Sequence, residues 1–387
     1  MKKRRVIVLG ATGSIGQSAA KVAADLPERM ELVGLAAHRS AAALAEQANR
    51  FRPAALGLVD ETKLGELEAA LAPGYRPRIF LGEAGLTELA GSREATDADM
   101  VLVAIVGTGG LRPALAAIEA GRDLAVASKE ILVMAGEAVT SAAARKGLRI
   151  LPVDSEHNAI FQCLEGRDPA TVRRLILTAS GGPFRQTPRA QLDDVTPAQA
   201  LKHPTWNMGA KITIDSATLF NKGLEMIEAH WLFGVPMARV EVVVHPQSIV
   251  HSMVEFVDAS VLAQLSHSDM CFPIQYAVTW PDRVANTLRP LDFNALRQLD
   301  FEPPREADFP ALRLARTAGE TGGTLPAVLN AANEVAVAAF LENRLAFPRI
   351  WGVVEETMTA HRPIAEPTLD AILAADAEAR REASNRL

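Results

Sequence analysis

Unbroken apolar runs alternate with segments of helical spacing over residues 1–150. Runs at Val6–Leu9, Leu32–Ala36, Ala54–Val59, Met100–Ile105, Leu124–Ala127 and Arg149–Val153 predict buried strands. Between them the Ala-rich stretches Ser14–Leu26, Ala41–Phe51 and Arg112–Ala120 predict helices. Strand and helix in turn, with apolar rather than alternating strands, imply a parallel sheet covered on both faces. Right-handed crossovers make it doubly wound, a Rossmann-like domain over residues 1–153. The pattern then changes. Val172–Thr178, Val240–Val244, Ile249–Val257 and Val261–Leu265 read as strands, the last three as antiparallel neighbours. One long helix is expected from Ser216 to Phe233, so residues 154–285 form an α+β domain. Pro290, Pro303, Pro304 and Pro310 mark a linker over 286–310. Helices, including Val328–Asn343 and Thr368–Glu382, fill a C-terminal helical domain over 311–387.

Composition narrows the class. With 49% hydrophobic and 22% charged residues, the chain of 387 is an ordinary soluble globular protein. Two distant cysteines, Cys163 and Cys271, suit a reducing compartment. A formal charge of −6 argues against a general nucleic-acid binder. The longest uncharged runs, such as Met100–Leu111 and Val242–Val254, are too short for a membrane helix. The basic start, Met1 to Arg5, enters an apolar stretch as a signal peptide would. It runs straight into a glycine turn without a cleavage site, which favours a first strand. Six of the eight histidines fall between His157 and His267, and lysines number nine against 31 arginines.

Four groups of residues carry candidate chemistry. Gly10, Gly13 and Gly16 follow the first strand, where a tight turn, close backbone approach and a helix N-terminus suit a pyrophosphate. A plain strand-to-helix turn is the alternative. The second strand ends at His38, Arg39 and Ser40 without a carboxylate, and Arg39 could pair with a 2′-phosphate; this favours NADPH over NADH, unless Arg39 is merely an exposed helix start. Asp154 and Glu156 share one side of an extended segment and suit Mg²⁺ or Mn²⁺, while Asp154 followed by Ser155 equally suits a helix cap. On the long helix, Phe220, Leu224, Ile227 and Trp231 form an apolar stripe. Asn221, Lys222, Glu225 and Glu228 lie on a separate arc, and Gly223 is an unfavourable mid-helix residue that invites close approach. Ser180, Gly181 and Gly182 after a strand can meet an anion. The run His203, Pro204, Trp206, Met208 reads as part of a ligand-covering loop, about 181–210. Lys129 sits at the carboxyl edge of the sheet, where such folds bind ligands.

Together these motifs, with Lys211–Thr218, His245–Val254 and Asn330–Val337, resemble the 1-deoxy-D-xylulose 5-phosphate reductoisomerase family over nearly the whole chain. The resemblance implies an NADPH- and divalent-metal-dependent enzyme of non-mevalonate isoprenoid biosynthesis. It would rearrange a phosphorylated ketose, by retro-aldol cleavage and re-joining, and reduce the resulting aldehyde to 2-C-methyl-D-erythritol 4-phosphate. It implies Thr12, Gly13, Ser14 and Ile15 at the pyrophosphate, with Gly10 and Gly16 shaping the loop, and Arg39 and Ser40 at the 2′-phosphate. His38, Ser128, Glu130 and Gly209 fall on the cofactor side. Asp154, Glu156 and Glu225 match the metal ligands. Lys129, Ser155, Ser180, His203, Ser216, Asn221 and Lys222 match substrate contacts, and Trp206 and Met208 the closing loop. Lys129, Glu156, Glu225 and His203 are the implied catalytic groups. Ser128 and His38 depart from the family's usual Asn and Gly. The family further implies a homodimer, in the bacterial cytoplasm. An NADP-dependent semialdehyde dehydrogenase would need an activated cysteine, and a non-catalytic dinucleotide sensor would not need the carboxylates and lysine.

Overall fold

The computed structural model describes residues 3–93, 96–206 and 208–387; Met1 and Lys2 of the basic start and Asn207 of the expected lid lie outside them. The chain forms two compact units. The first comprises Met1–Ile131, Glu137–Asn158 and Asp269–Arg289, and the second Leu132–Gly136, Ala159–Ser268 and Pro290–Leu387. Asp269–Arg289, at the end of the expected α+β region, therefore folds with the first unit.

The first unit is built on β1 (Arg4–Leu9), β2 (Met30–Ala37), β3 (Ala55–Leu58), β4 (Arg78–Leu81), β5 (Met100–Val103), β6 (Asp123–Val126) and β7 (Ile150–Pro152). All pair in parallel, in the order β4-β3-β2-β1-β5-β6-β7. The crossovers use α1 (Ser14–Asp25), α2 (Ala41–Phe51), α3 (Leu64–Ala70), α4 (Gly82–Gly91), α5 (Leu111–Glu119) and α6 (Glu130–Arg145). β3 and β5 are buried end to end, and β1 from Val6 to Leu9, which is why they read as apolar runs. β4 escaped the sequence reading. It has four residues, lies at the sheet edge and buries only Phe80 fully. Sheet order reverses at β1, so the loops after β1 and β5 diverge there, the usual ligand crevice of such sheets.

After α7 (Ser155–Leu164) the second unit has β8 (Val172–Ala179), α8 (Pro197–Ala200), α9 (Ala210–Thr218), α10 (Phe220–Phe233), β9 (Val240–Val244), β10 (Val250–Phe256) and β11 (Val261–Leu265). Its sheet has the order β11-β10-β8-β9. The expected antiparallel β9–β10 pairing is wrong. β9 returns parallel to β8 on the far side from β10, because the long crossover through α9 and α10 delivers it there. The single long helix is also corrected. It breaks at Leu219, whose φ of 65° lies in the left-handed region, so α9 and α10 are separate helices. No glycine or proline announces this break.

Next, α11 (Cys271–Thr279) returns to the first unit and packs on α1. The chain closes with α12 (Phe293–Leu296), α13 (Ala311–Thr321), α14 (Leu325–Leu341), α15 (Arg349–Ala360) and α16 (Leu369–Ser384). One hydrophobic core joins the β8 face, α10 and these C-terminal helices. Phe347 is its hub, with ring centroids 5.1 Å from Phe184, 5.5 Å from Phe340 and 5.3 Å from Trp351. Truncating it to alanine would cost about 3–5 kcal/mol. Phe184 thereby anchors the loop that starts at Ser180. Among the described residues, no helix is long and apolar enough to cross a membrane.

Candidate active site

In the first unit the candidate residues gather at the carboxyl ends of the strands. β1 runs into Gly10, whose φ is 93°; a Cβ there would lie 2.3 Å from the Ala104 carbonyl oxygen after β5. At Gly16 a Cβ would lie 2.2 Å from the Ala11 oxygen, so α1 can start this close to the turn only with glycine. Gly13 is different. Its nearest neighbour would be 3.5 Å away, so the fold itself does not demand glycine there. Instead Gly13 and Ser14 are exposed at the N-terminus of α1; the Gly13 N–H donates to the Gly10 oxygen at 3.1 Å, and the first turn beyond it offers its backbone N–H groups and the positive end of the helix dipole. The loop is braced by Gln47, which donates to the Ala11 oxygen at 2.8 Å, and by Gln17, which donates to Thr12 at 3.1 Å.

His38, Arg39 and Ser40 are exposed beyond β2. The Arg39 guanidinium lies 3.7 Å from Asp60 with its side chain 71% exposed, a weak tether that leaves it able to reach an anion. Ser128 is buried and donates to the backbone oxygen of Ile105 at 2.5 Å, closing the β5 and β6 ends together. Glu130 is buried in the first turn of α6.

Lys129 is also buried, and its Nζ lies 3.0 Å from Asp154 Oδ2. Asp154 precedes α7 rather than continuing an extended strand, which corrects the expectation of two side-by-side carboxylates. Ser155 begins the helix, and the Asp154 carboxylate caps it by accepting the Glu156 N–H at 3.1 Å. Glu156 lies in the first turn, where Ser155 Oγ donates to it at 2.7 Å. The buried His157 ring places Nδ1 3.0 Å from Asp154 Oδ1. Asp154 is thus a cap and an ion-pair partner together.

The second unit assembles a cluster from three separate segments. Ser180 follows β8, and Gly182, with φ of 66°, sits against Ser216 and Ala217: a Cβ there would lie 2.9 Å from both the Ser216 oxygen and Ala217 Cα. His203 links the segments, its Nε2 lying 2.9 Å from Ser180 Oγ and 3.0 Å from Ser216 Oγ. The Trp206 and Thr205 N–H groups donate to Nδ1 at 2.9 and 3.2 Å, so the ring proton belongs on Nε2. Burial, and then the charge of Lys222, push the His203 pKa down to about 4, so the ring is neutral near pH 7. In the first turns of α10, Asn221 and Lys222 both donate to Glu225, each at 2.5 Å. Lys222 and Glu225 are both buried, and such a pair persists only when further polar partners satisfy it. Trp206 is half-buried, its ring 6.4 Å from that of His251; Met208 is half-buried and Gly209 exposed before α9.

Other histidines are engaged in backbone hydrogen bonds: His230 with Val235, His245 with Asp300 and Ile249, and His267 with Pro290. Burial pushes the Cys271 thiol up to about 12, and Cys163 is buried, so neither supplies the thiolate that a semialdehyde dehydrogenase would need. Asp215 and Asn333 lay inside motifs without an assigned role. The signal for Asn333 was visible: it, Asn330 and Glu334 are the polar residues of an otherwise apolar helix.

A doubly wound parallel sheet with a glycine-rich turn, together with a second unit holding a buried lysine–carboxylate cluster, defines a two-unit α/β enzyme of the dinucleotide-binding class. Comparison identifies which one. The family model described as 1-deoxy-D-xylulose 5-phosphate reductoisomerase matches residues 6–136, and models of its C-terminal domains match 150–233 and 265–382. The chain is 55% identical to the 1-deoxy-D-xylulose 5-phosphate reductoisomerase of Symbiobacterium thermophilum, over 98% of this chain and 97% of that one. To that of Gloeobacter violaceus it is 49% identical, over 97% and 96%. The solved Zymomonas mobilis enzyme in complex with NADPH superposes with a TM-score of 0.91 at 45% identity, over 99% and 98% of the two chains. A reductoisomerase in complex with NADPH, fosmidomycin and magnesium gives 0.92 at 37%, with the same coverage. The chain belongs to the 1-deoxy-D-xylulose 5-phosphate reductoisomerase family.

Proposed function

We infer that this chain converts 1-deoxy-D-xylulose 5-phosphate to 2-C-methyl-D-erythritol 4-phosphate with NADPH and a divalent metal. The observation that carries this is the 55% identity over 98% of the chain to a relative of that name. The loop Thr12, Gly13, Ser14 and Ile15, with Arg39 and Ser40, binds NADPH, and His38, Ser128, Glu130 and Gly209 lie on the cofactor's side. Asp154, Glu156 and Glu225 serve as metal ligands. The donor set fits: it is all carboxylate oxygen, which suits Mg²⁺ and equally Mn²⁺, and hydrogen bonds from Ser155, Lys222 and Asn221 orient two of the three. When bound, the metal supplies Lewis acidity toward neighbouring ketone and hydroxyl oxygens, and NADPH supplies hydride.

The chain's own residues do the rest. Ser180, His203, Ser216, Asn221 and Lys222 take the substrate phosphate, with one buried positive charge and neutral donors around it. Ser155, and Lys129 held by Asp154, meet the sugar end; Lys129 and Glu156 are placed to move protons there. Trp206 and Met208 close over the ligand and exclude water. On the same resemblance, residues 1–153 together with 269–289 form the NADPH domain, 154–268 the catalytic domain, 290–310 the linker and 311–387 a helical support. The enzyme works as a homodimer in the bacterial cytoplasm. The test is NADPH oxidation with 1-deoxy-D-xylulose 5-phosphate, with and without Mg²⁺. Metal-dependent oxidation that fosmidomycin blocks is expected; no oxidation under either condition would refute the assignment.

A further inference from the structure

Asp215 is a buried carboxylate beside Ser216, and its Oδ1 accepts a hydrogen bond of 2.8 Å from Asn333 Nδ2 on α14. Lys211 Nζ lies 2.6 Å from its other oxygen. Two residues beyond Ser216, the carbonyl of Thr218 accepts from Trp351 Nε1 on α15 at 3.1 Å, out of contact with water. These two bonds bracket the serine. Next comes Leu219 in the left-handed region, a conformation that costs a leucine free energy and persists only where its surroundings enforce it. α10 then begins, and its first turn carries Asn221 and Lys222. One residue on, a Cβ at Gly223 would lie 2.8 Å from Ala315 Cβ and 3.2 Å from the Ala311 oxygen, so α13 seats directly on this turn. Three C-terminal helices therefore each hold one point of the α9–α10 corner.

Asn333 is fully buried, and among the described residues its own Oδ1 has no hydrogen-bond partner, a cost carried alongside the bond that its Nδ2 gives to the buried Asp215 carboxylate. Its N–H is what the site uses. We propose that Asn333 and Trp351 are positioning residues that set the α9–α10 corner, and through it Ser216, Asn221 and Lys222, for the substrate phosphate. The C-terminal helices then belong to the substrate site without touching substrate. This rests on the reading of Ser216, Asn221 and Lys222 as phosphate contacts.

The test compares steady-state kinetics and melting temperature of the whole enzyme. Asn333→Asp sets a second carboxylate against Asp215; it should raise KM for 1-deoxy-D-xylulose 5-phosphate about tenfold or more while KM for NADPH stays put. The exchange Asp215→Asn with Asn333→Asp restores a donor–acceptor pair and should recover most of that loss. Trp351→Phe keeps the ring, removes the N–H and should raise the same KM roughly threefold; it carries the test if Asn333→Asp does not fold. A lowered melting temperature with wild-type KM for the substrate in both variants would overturn the proposal, as would equal rises in both KM values. Lys222→Ala separates the two readings. If it leaves substrate KM unchanged, the phosphate assignment fails; if it raises KM while Trp351→Phe and Asn333→Asp do not, only the positioning role fails.

Discussion

The two units hold their candidate residues by different means. In the first, the loop after β1 is a backbone device. Gly10 and Gly16 are demanded by contacts of 2.3 and 2.2 Å, and the groups offered to a ligand are exposed. In the second, the cluster is made of side chains from three segments: Ser180, His203, Ser216 and Asn221 are half-buried, and Lys222 and Glu225 hold opposite charges out of water. A backbone site tolerates side-chain change and fails when a Cβ enters. A buried charge cluster tolerates little, because removing one partner leaves the other desolvated.

The largest expected effect follows from that contrast. Glu225→Gln keeps the shape but removes a charge that faces Lys222 and serves as a proposed metal ligand. Turnover should fall about a thousandfold or more, with NADPH affinity retained. Kinetics paired with NADPH fluorescence titration would show it. Near-normal turnover at ordinary metal concentration would mean that Glu225 is only a structural partner of Lys222.

The next comparison lies within the glycine loop. Gly16→Ala drives a Cβ into the Ala11 carbonyl and should cost about 1–3 kcal/mol of stability, as overpacking does. Gly13→Ala meets nothing closer than 3.5 Å and should melt near wild type, yet weaken NADPH binding by crowding the pyrophosphate path. Thermal unfolding and NADPH titration of both variants decide it. Equal melting temperatures would show that the turn is not constrained as its geometry implies.

That contrast also explains what the sequence disclosed. β1, α1 and the glycine spacing were legible because they are local: an apolar run, a turn and a helix start lie within a dozen residues. The second cluster was legible only as separate motifs. Nothing in the spacing of Ser180, His203 and Ser216 says that one imidazole nitrogen meets both hydroxyls. The break at Leu219 was hidden because the left-handed residue is a leucine, held by its surroundings and not by its own preference. Asp154 suited an extended segment and a helix cap equally, because its capping bond depends on where α7 begins. The pairing of β9 with β8 was hidden because a crossover, not a hairpin, sets it.

Arg39→Ala tests the exposed side of the comparison. The side chain is 71% exposed and only weakly tethered to Asp60, so stability should not change. NADPH affinity should fall about tenfold, the worth of one charge-assisted contact, and NADH affinity hardly at all. An equal fall for both cofactors would show that Arg39 shapes the α2 start and does not read the 2′-phosphate.

The smallest effect concerns protonation in the buried cluster. Folding lowers the His203 pKa from 6.5 to about 4, so between these values the unfolded chain binds the extra proton and the folded one does not. This contribution to stability is complete above 6.5 and is lost as the pH falls toward 4. His203→Gln cannot titrate, so the melting-temperature gap between wild type and variant should shrink on going from pH 7 to pH 5, by roughly one degree given the ring's partial exposure. A constant gap in melting temperature would mean that His203 titrates as it would in water and that the pocket around Lys222 is wetter than its side-chain burial implies.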